Sequence, residues 1–244
     1  ITRLIERARA AQCPALVLTL DLQVMGQRHK DIRNGLSAPP RPTLANLLNL
    51  ATKPRWCLGM LRTKRRTFRN IAGHAKGVDD LSSLSSWTNQ QFDPTLDWDD
   101  VKWVRDQWKG KLILKGILDP EDVEPAIASG ADALIVSNHG GRQLDGALSA
   151  IRALPAIAEA VRGRMEVHLD SGVRSGQDVI KALALGARAV HVGRAFVYGL
   201  GAMGEAGVTT ALGILRKELD ITMGFCGLRD VKKVDRSILV PGTC

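Results

Sequence analysis

The sequence predicts an α/β chain holding five strands of a (β/α)8 TIM barrel, an incomplete barrel. Three observations predict it. From residue 111 onward, short apolar runs alternate with helical stretches of about 10–15 residues, the pattern of right-handed βαβ units on a parallel sheet. Each apolar run ends in polar or glycine residues: Asp21, Lys115-Gly116, Ser137-Asn138-His139, Asp170-Ser171-Gly172 and Gly193-Arg194. A barrel sets all these ends on one rim, whereas a doubly wound sheet gathers only a few at a crevice. Finally, 244 residues with 45% apolar content suit one barrel-type core.

The elements follow in order. Residues 1–12 place Leu4, Ile5, Ala8 and Ala11 at helical spacing, and Pro14 stops them. "ALVLTLD" (15–21) is a buried parallel strand ending in a carboxylate. Residues 22–100 read as irregular, basic and proline-punctuated, with a short helix over 43–51, and residues 36–92 as a basic loop inserted in the domain. "DPTLDWDDVKWVRDQW" (93–108) is a turn, a cap and an amphipathic helix. Strands are expected at 111–116, 131–137, 165–172 and 187–193, with helices at 119–130, 147–161 and 175–186 and a mostly helical remainder.

Charge and cysteines narrow the class. The formal charge is +9, yet no acidic residue lies between Asp31 and Asp79. Arg33, Arg41, Lys53, Arg55, Arg62, Lys64, Arg65, Arg66, Arg69 and Lys76 fill that stretch and exceed the whole net excess. Such a block meets an anionic surface or is simply solvated. Cys13, Cys57, Cys226 and Cys244 have no metal or redox spacing and fit free thiols of a reducing, cytoplasmic compartment. No apolar run reaches the ~18 residues of a membrane span, and no signal peptide is seen. With 4% aromatics and no recognition fold, nucleic acid is not an expected partner. No metal site is expected.

Three constellations carry chemistry. "DSGVRSG" and "HVGRAF" each supply glycine, backbone donors and an arginine just before a helix, so Gly172, Arg174, Gly193 and Arg194 suit a phosphate. The alternative is turn glycines beside solvated arginines. In "SNHGGRQ", His139 is an imidazole, the side chain that exchanges a proton near neutral pH, and Arg142 offers a fork for a carboxylate. Together they suit a small acid that loses a proton or hydride beside its carboxylate. Asp21 could orient His139 and Arg28 could be a second clamp, though each is also an ordinary strand-end or loop residue. Lys115 is either a positive charge beside an anionic cofactor or a Schiff-base nucleophile, which leaves an aldolase open.

These segments carry a family resemblance. "SNHGGRQLDGA", "LTLD…GQRHKDIRNG", "LKGI", "DSGVRSGQDVIKALALGARAVHVGR" and "YGLGAMGEAGV", in that order, resemble the FMN-dependent α-hydroxy-acid dehydrogenases and oxidases, most of all their bacterial L-lactate-oxidising branch. The resemblance runs from residue 1 to about 235. It implies oxidation of L-lactate, or a related L-2-hydroxy acid, to pyruvate or the 2-keto acid, with electrons passing from FMN to quinone, cytochrome or oxygen. His139 would take the α-proton, or the hydroxyl proton as hydride leaves, with Asp21 supporting it. Arg142 and Arg28 would bind the substrate carboxylate, Lys115 would lie beside the flavin, and Thr19 and Ser137 would contact FMN. Asp170, Ser171, Gly172, Val173 and Arg174 would bind ribityl and phosphate, and Gly193 with Arg194 would close the phosphate site. The resemblance also implies a homotetramer.

The family's N-terminal third, with three strands and further flavin and substrate contacts, has no counterpart here. Residues 1–244 are therefore expected to be the C-terminal part of one FMN-binding barrel domain, poorly folded or inactive alone, or a non-catalytic half-barrel that binds a partner chain. "GLGAMG" (199–204) matches a dinucleotide fingerprint but does not follow a strand directly. His168 and His191 fall inside predicted strands and read as packing residues. "KPRWCLGMLRTKRRTF" (53–68) adds apolar anchors to charge and suits a peripheral site on the inner membrane, at quinone, or a solvated lid.

Overall fold

Five apolar runs become five parallel strands, hydrogen-bonded in chain order: β1 (Ala15–Thr19), β2 (Lys111–Ile117), β3 (Ala133–Val136), β4 (Glu166–Leu169) and β5 (Ala189–Val190). The computed structural model describes residues 1–24, 26–35, 43–63 and 92–242. It divides into one unit of Ile1–Asp21 with Thr95–Cys244, which holds the whole sheet, and a second of Leu22–Pro94. Ten helices are described: α1 (Thr2–Ala10), α2 (His29–Arg33), α3 (Leu44–Ala51), α4 (Pro54–Arg62), α5 (Trp98–Gln107), α6 (Val123–Ala128), α7 (Ala150–Val161), α8 (Gly176–Ala184), α9 (Arg194–Met203) and α10 (Glu205–Phe225). Helices follow the strands as a parallel sheet requires, and the sheet is that of an incomplete (β/α)8 barrel.

Alternation along β2 sets its two faces. Leu112 and Leu114 are wholly buried and pack with Ile5 of α1, Val101 and Val104 of α5, and Trp108. Lys111, Ile113 and Lys115 take the opposite face. A second core joins Leu134 and Val136 of β3, Leu169 of β4, and Leu154, Ile157 and Val161 of α7. Each of these fully buried aliphatic side chains stabilises the fold by about 1.5–3 kcal/mol. All four residues of β3 are buried, as a strand covered on both faces should be.

Local chemistry starts the helices. Asp97 accepts from the backbone of Asp99 and Asp100, and Asp100 returns the bond, a capping box for α5. Ser175 and Asp178 form the same device at α8. Four of the five strands stop short of the expected ends, where the chain turns away, while β2 runs one residue past its expected end, to Ile117. Gly116 breaks the β2–β3 register, at φ +110, and a Cβ there would lie 2.8 Å from the Cβ of Asp21.

One expectation needs correction. Residues 22–100 are not irregular outside 43–51, because α2 and α4 are also helical. Pro54 at the first turn of α4 pre-sets the helical φ, and its basic residues had hidden the helical pattern. Arg41, Lys64, Arg65, Arg66, Phe68, Arg69 and Lys76 lie outside the described residues.

Candidate active site

The site is built where the strands run out. Ser137 directly follows β3 and is fully buried, so its hydroxyl needs partners. It donates to Asp170 Oδ2 at 2.7 Å, and accepts from Lys115 Nζ at 3.0 Å and from the His139 backbone N–H at 3.1 Å. Lys115 Nζ also lies 3.2 Å from Asp170 Oδ2. One hydroxyl thus ties together the ends of β2, β3 and β4. Burial works against ionisation of Asp170. The Ser137 hydroxyl and the charge and hydrogen bond of Lys115 outweigh it and hold the carboxyl below its ordinary range.

The histidine loop is held just as closely. His139 has φ +56, an uncommon conformation for a side chain of this size. Gly140 and Gly141 continue at φ +69 and +70. Asn138 Oδ1 accepts from both glycine N–H groups, at 3.1 and 3.2 Å, and its amide donates to the Leu148 carbonyl. The Gly140 N–H donates to Ser171 Oγ at 2.9 Å. This turn places His139 Nδ1 3.2 Å from Asp21 Oδ1. A carboxylate that accepts from Nδ1–H leaves Nε2 as the lone pair, which makes the imidazole a base with a fixed tautomer. Asp21 Oδ2 is buried and has no hydrogen-bond partner among the described residues.

These groups open onto a cleft of about 830 Å³, within the roughly 300–1,000 Å³ of small-molecule sites. Lys115, His139, Arg142, Arg174, Arg194 and His191 line it. A Cβ on Gly172 or Gly193 would meet nothing within 4 Å, so both leave room for close approach of a ligand. Gly193 precedes α9, whose first residue, Arg194, donates to the Gly140 carbonyl at 3.1 Å. Asp178 accepts from the N–H groups of Arg174 and Ser175 and fixes the loop after β4. The donor set is cationic and spread along the cleft, and it fits an elongated ligand with an anionic end.

The structure brings together most of the expected residues. Thr19 ends β1 opposite Lys115 in register. Asp170, Ser171, Gly172, Arg174, Gly193 and Arg194 all line the cleft. Val173 also lines it, but its side chain is buried in the core. Arg142 is exposed on the same cleft. Arg28 stands at the start of α2, in the unit Leu22–Pro94.

Sequence reasoning missed Asn138 and Asp178, whose work is loop geometry. It also misjudged His191. His168 is buried inside β4, but β5 ends at Val190 and leaves His191 exposed on the cleft. Gly199 and Gly201 lie inside α9, not on a strand-to-helix turn. A Cβ on Gly199 would stand 2.4 Å from the Gly207 carbonyl oxygen, so this glycine serves the close crossing of α9 and α10.

Comparison with known proteins agrees with this geometry. A family model described as FMN-dependent dehydrogenase matches residues 1–241. An L-lactate dehydrogenase of Caulobacter vibrioides (strain NA1000 / CB15N) is 48% identical over 238 residues, covering 97% of this chain and 62% of the relative. One from Ectopseudomonas mendocina (strain ymp) is 44% identical, with 97% and 62% covered. The chain thus spans about three fifths of the length of the curated relatives it matches. Among solved structures, a monotopic membrane protein, (S)-mandelate dehydrogenase, superposes with a TM-score of 0.90 at 37% identity, covering 98% of this chain and 63% of the other. A mandelate oxidase variant gives 0.72 at 35% identity, with 96% and 57% covered.

Proposed function

This chain belongs to the FMN-dependent dehydrogenase family, and on that footing we propose that it takes part in oxidising L-lactate, or a related L-2-hydroxy acid, to the 2-keto acid. The observation that supports this best is the Asp21–His139 pair, at 3.2 Å, opening on the cleft that also holds Lys115. When bound, FMN supplies the acceptor for the electron pair that leaves the α-carbon. The chain's own residues bind, orient and move the proton. Lys115, positioned by Ser137 and Asp170, sets a positive charge beside the flavin, with Thr19 at the adjacent strand end. Asp170, Ser171, Gly172, Val173 and Arg174 take the ribityl and phosphate, and Gly193 with Arg194 closes over the phosphate. Arg142 holds the substrate carboxylate. His139 Nε2 accepts the substrate proton, and Asp21 stabilises the imidazolium that results.

Lactate is favoured over mandelate because the L-lactate dehydrogenases are 44–48% identical, against 37% for the mandelate dehydrogenase structure. A Schiff-base aldolase is not favoured, since a nucleophilic lysine needs a free amine and Lys115 is engaged by a carboxylate and a hydroxyl. The test uses the purified protein at its natural length, supplied with FMN. L-Lactate added without oxygen should bleach the flavin band, and His139→Gln should slow bleaching by about 10²–10⁴-fold. Bleaching by mandelate and not lactate would reassign the substrate. A protein that retains no FMN once unbound cofactor is removed would end the flavoenzyme reading.

The unit Leu22–Pro94 is the proposed contact with an anionic membrane surface and its quinone, at the cytoplasmic face of the inner membrane, in a homotetramer. Leu44, Leu47, Leu48, Trp56 and Leu61 are exposed on α3 and α4, beside Lys53, Arg55 and Arg62. Among the described residues no helix is long and apolar enough to cross a membrane. The protein should cosediment with vesicles containing anionic lipid, and Trp56→Ser should weaken this several-fold. Equal recovery with neutral vesicles would refute the electrostatic part.

A further inference from the structure

Glu166 and His168 alternate along β4 and share one face, and Asp170 follows the strand in the same phase. His168 is only 9% exposed, and its two nitrogens are both engaged. Nε2 lies 3.3 Å from Glu166 Oε2, and Nδ1 lies 3.1 Å from His191 Nε2. The rings are tilted by 36° with centroids 5.3 Å apart, so nitrogen meets nitrogen at their edges.

That contact has a strict proton count. Two imidazole nitrogens at hydrogen-bond distance need one hydrogen between them and admit only one. Glu166 takes the hydrogen on His168 Nε2. With both rings neutral, His191 Nε2–H donates to His168 Nδ1. One further proton enters at Nδ1 of His191, the ring that lines the cleft, and the shared hydrogen crosses to His168 Nδ1. His168 then carries the charge beside Glu166, and His191 is neutral again. A second added proton would set two N–H groups against each other. The pair gains one proton, not two.

We propose that His168 and His191 form a one-proton charge site in the wall of the cofactor cleft, a positioning pair that tightens the hold on an anionic cofactor when protonated. The proposal rests on the reading of the cleft as an FMN site. The groups facing the pair are Glu166 on β4, Asp170 just after it and Lys115 from β2. His139, Arg174 and Arg194 share the cleft from the loops. Partial removal from water, then His168 and Lys115, hold His191 below its ordinary range against the pull of Asp170.

The experiment measures FMN binding by fluorescence quenching from pH 5.5 to 8, in the unaltered protein, His191→Leu and Glu166→Gln. The cofactor phosphate and the rest of the cleft are common to all three, so differences between the curves isolate the pair. Relative to His191→Leu, the unaltered protein should gain an additional ~3- to 10-fold in affinity toward pH 5.5, the effect of one charge across a partly solvated cleft. Glu166→Gln should keep that gain but move its midpoint to lower pH, because the carboxylate beside the charged ring is lost. Glu166 and His191 are both exposed, which spares the fold. A His191→Leu or Glu166→Gln curve superimposed on the unaltered one overturns the proposal. Loss of FMN binding by His191→Leu at every pH also overturns it, by making His191 a direct ligand. No FMN binding by the unaltered protein at any pH strikes the function proposed above instead.

Discussion

Strand β2 carries a lysine near each end, and each meets an aspartate on a neighbouring segment, but the two rims differ. At the N-terminal rim, Asp132 accepts from Lys111 at 2.6 Å, from the Leu112 N–H at 3.0 Å and from Arg105 at 3.3 Å. Arg105 also donates to the carbonyls of Trp108 and Gly110, and Trp108 Nε1 donates to the Lys111 carbonyl. Those bonds clamp α5 onto the sheet, and the protein itself satisfies both carboxylate oxygens. At the C-terminal rim, Lys115 engages Ser137 and Asp170, which uses two of the three ammonium hydrogens among the described residues. There the charged groups line a cleft. One rim spends its charges on the fold, while the other turns them toward the cleft.

Three substitutions sharpen that contrast. Lys115→Met should weaken FMN binding by about 10–100-fold, the worth of one charge-assisted hydrogen bond of roughly 1.5–3 kcal/mol, and should also lower the melting temperature, because it strips the half-buried Asp170 of its cation. Lys111→Met, four residues earlier on the same face, should leave FMN binding within error. Its side chain is 72% exposed, so it should cost under about 1 kcal/mol of stability. Equal losses of FMN affinity in the two variants, by equilibrium titration, would erase the distinction between the rims.

The aspartates give the smaller effect. Burial opposes the charge on Asp132, but Lys111, the Leu112 N–H and Arg105 hold its carboxyl below the ordinary range. Asp170 is likewise held low. A carboxyl depressed by folding stabilises the protein above its unfolded value of about 3.9, and that contribution is lost as pH falls through the depressed value. Asp132→Asn should therefore lower stability at pH 7 by about 1–2 kcal/mol, or about 2–8 °C, and make the loss on acidification below about pH 4 shallower. FMN binding should not change. A steeper acid limb in the variant would contradict this account.

Legibility followed the range of the interactions. The strand-end cluster at 137–142 and the loops before α8 and α9 are local, so turn glycines, caps and polarity revealed them. α4 was obscured, because Lys53, Arg55 and Arg62 frame a short helix inside a basic, proline-punctuated stretch. His191 was misplaced because β5 has only two residues, too few for alternation to define its end. The Asp132 clamp and the His168–His191 contact join residues more than twenty positions apart, and no local pattern announces either. Asn138 and Asp178 were visible as residues but not as the braces of their loops.

Gly116 has a bearing on how this sequence can drift. Its missing side chain is the space that Asp21 occupies, although the two lie in distant parts of the gene. A codon change at 116 is thus felt as a displacement of the carboxylate that steadies His139. A Cβ at 116 would also lie 2.9 Å from the Asp21 backbone nitrogen, so no shortening at position 21 would relieve the overlap, and the left-handed φ of +110 disfavours a side chain there as well. Position 116 should therefore stay glycine while the surrounding helices diverge.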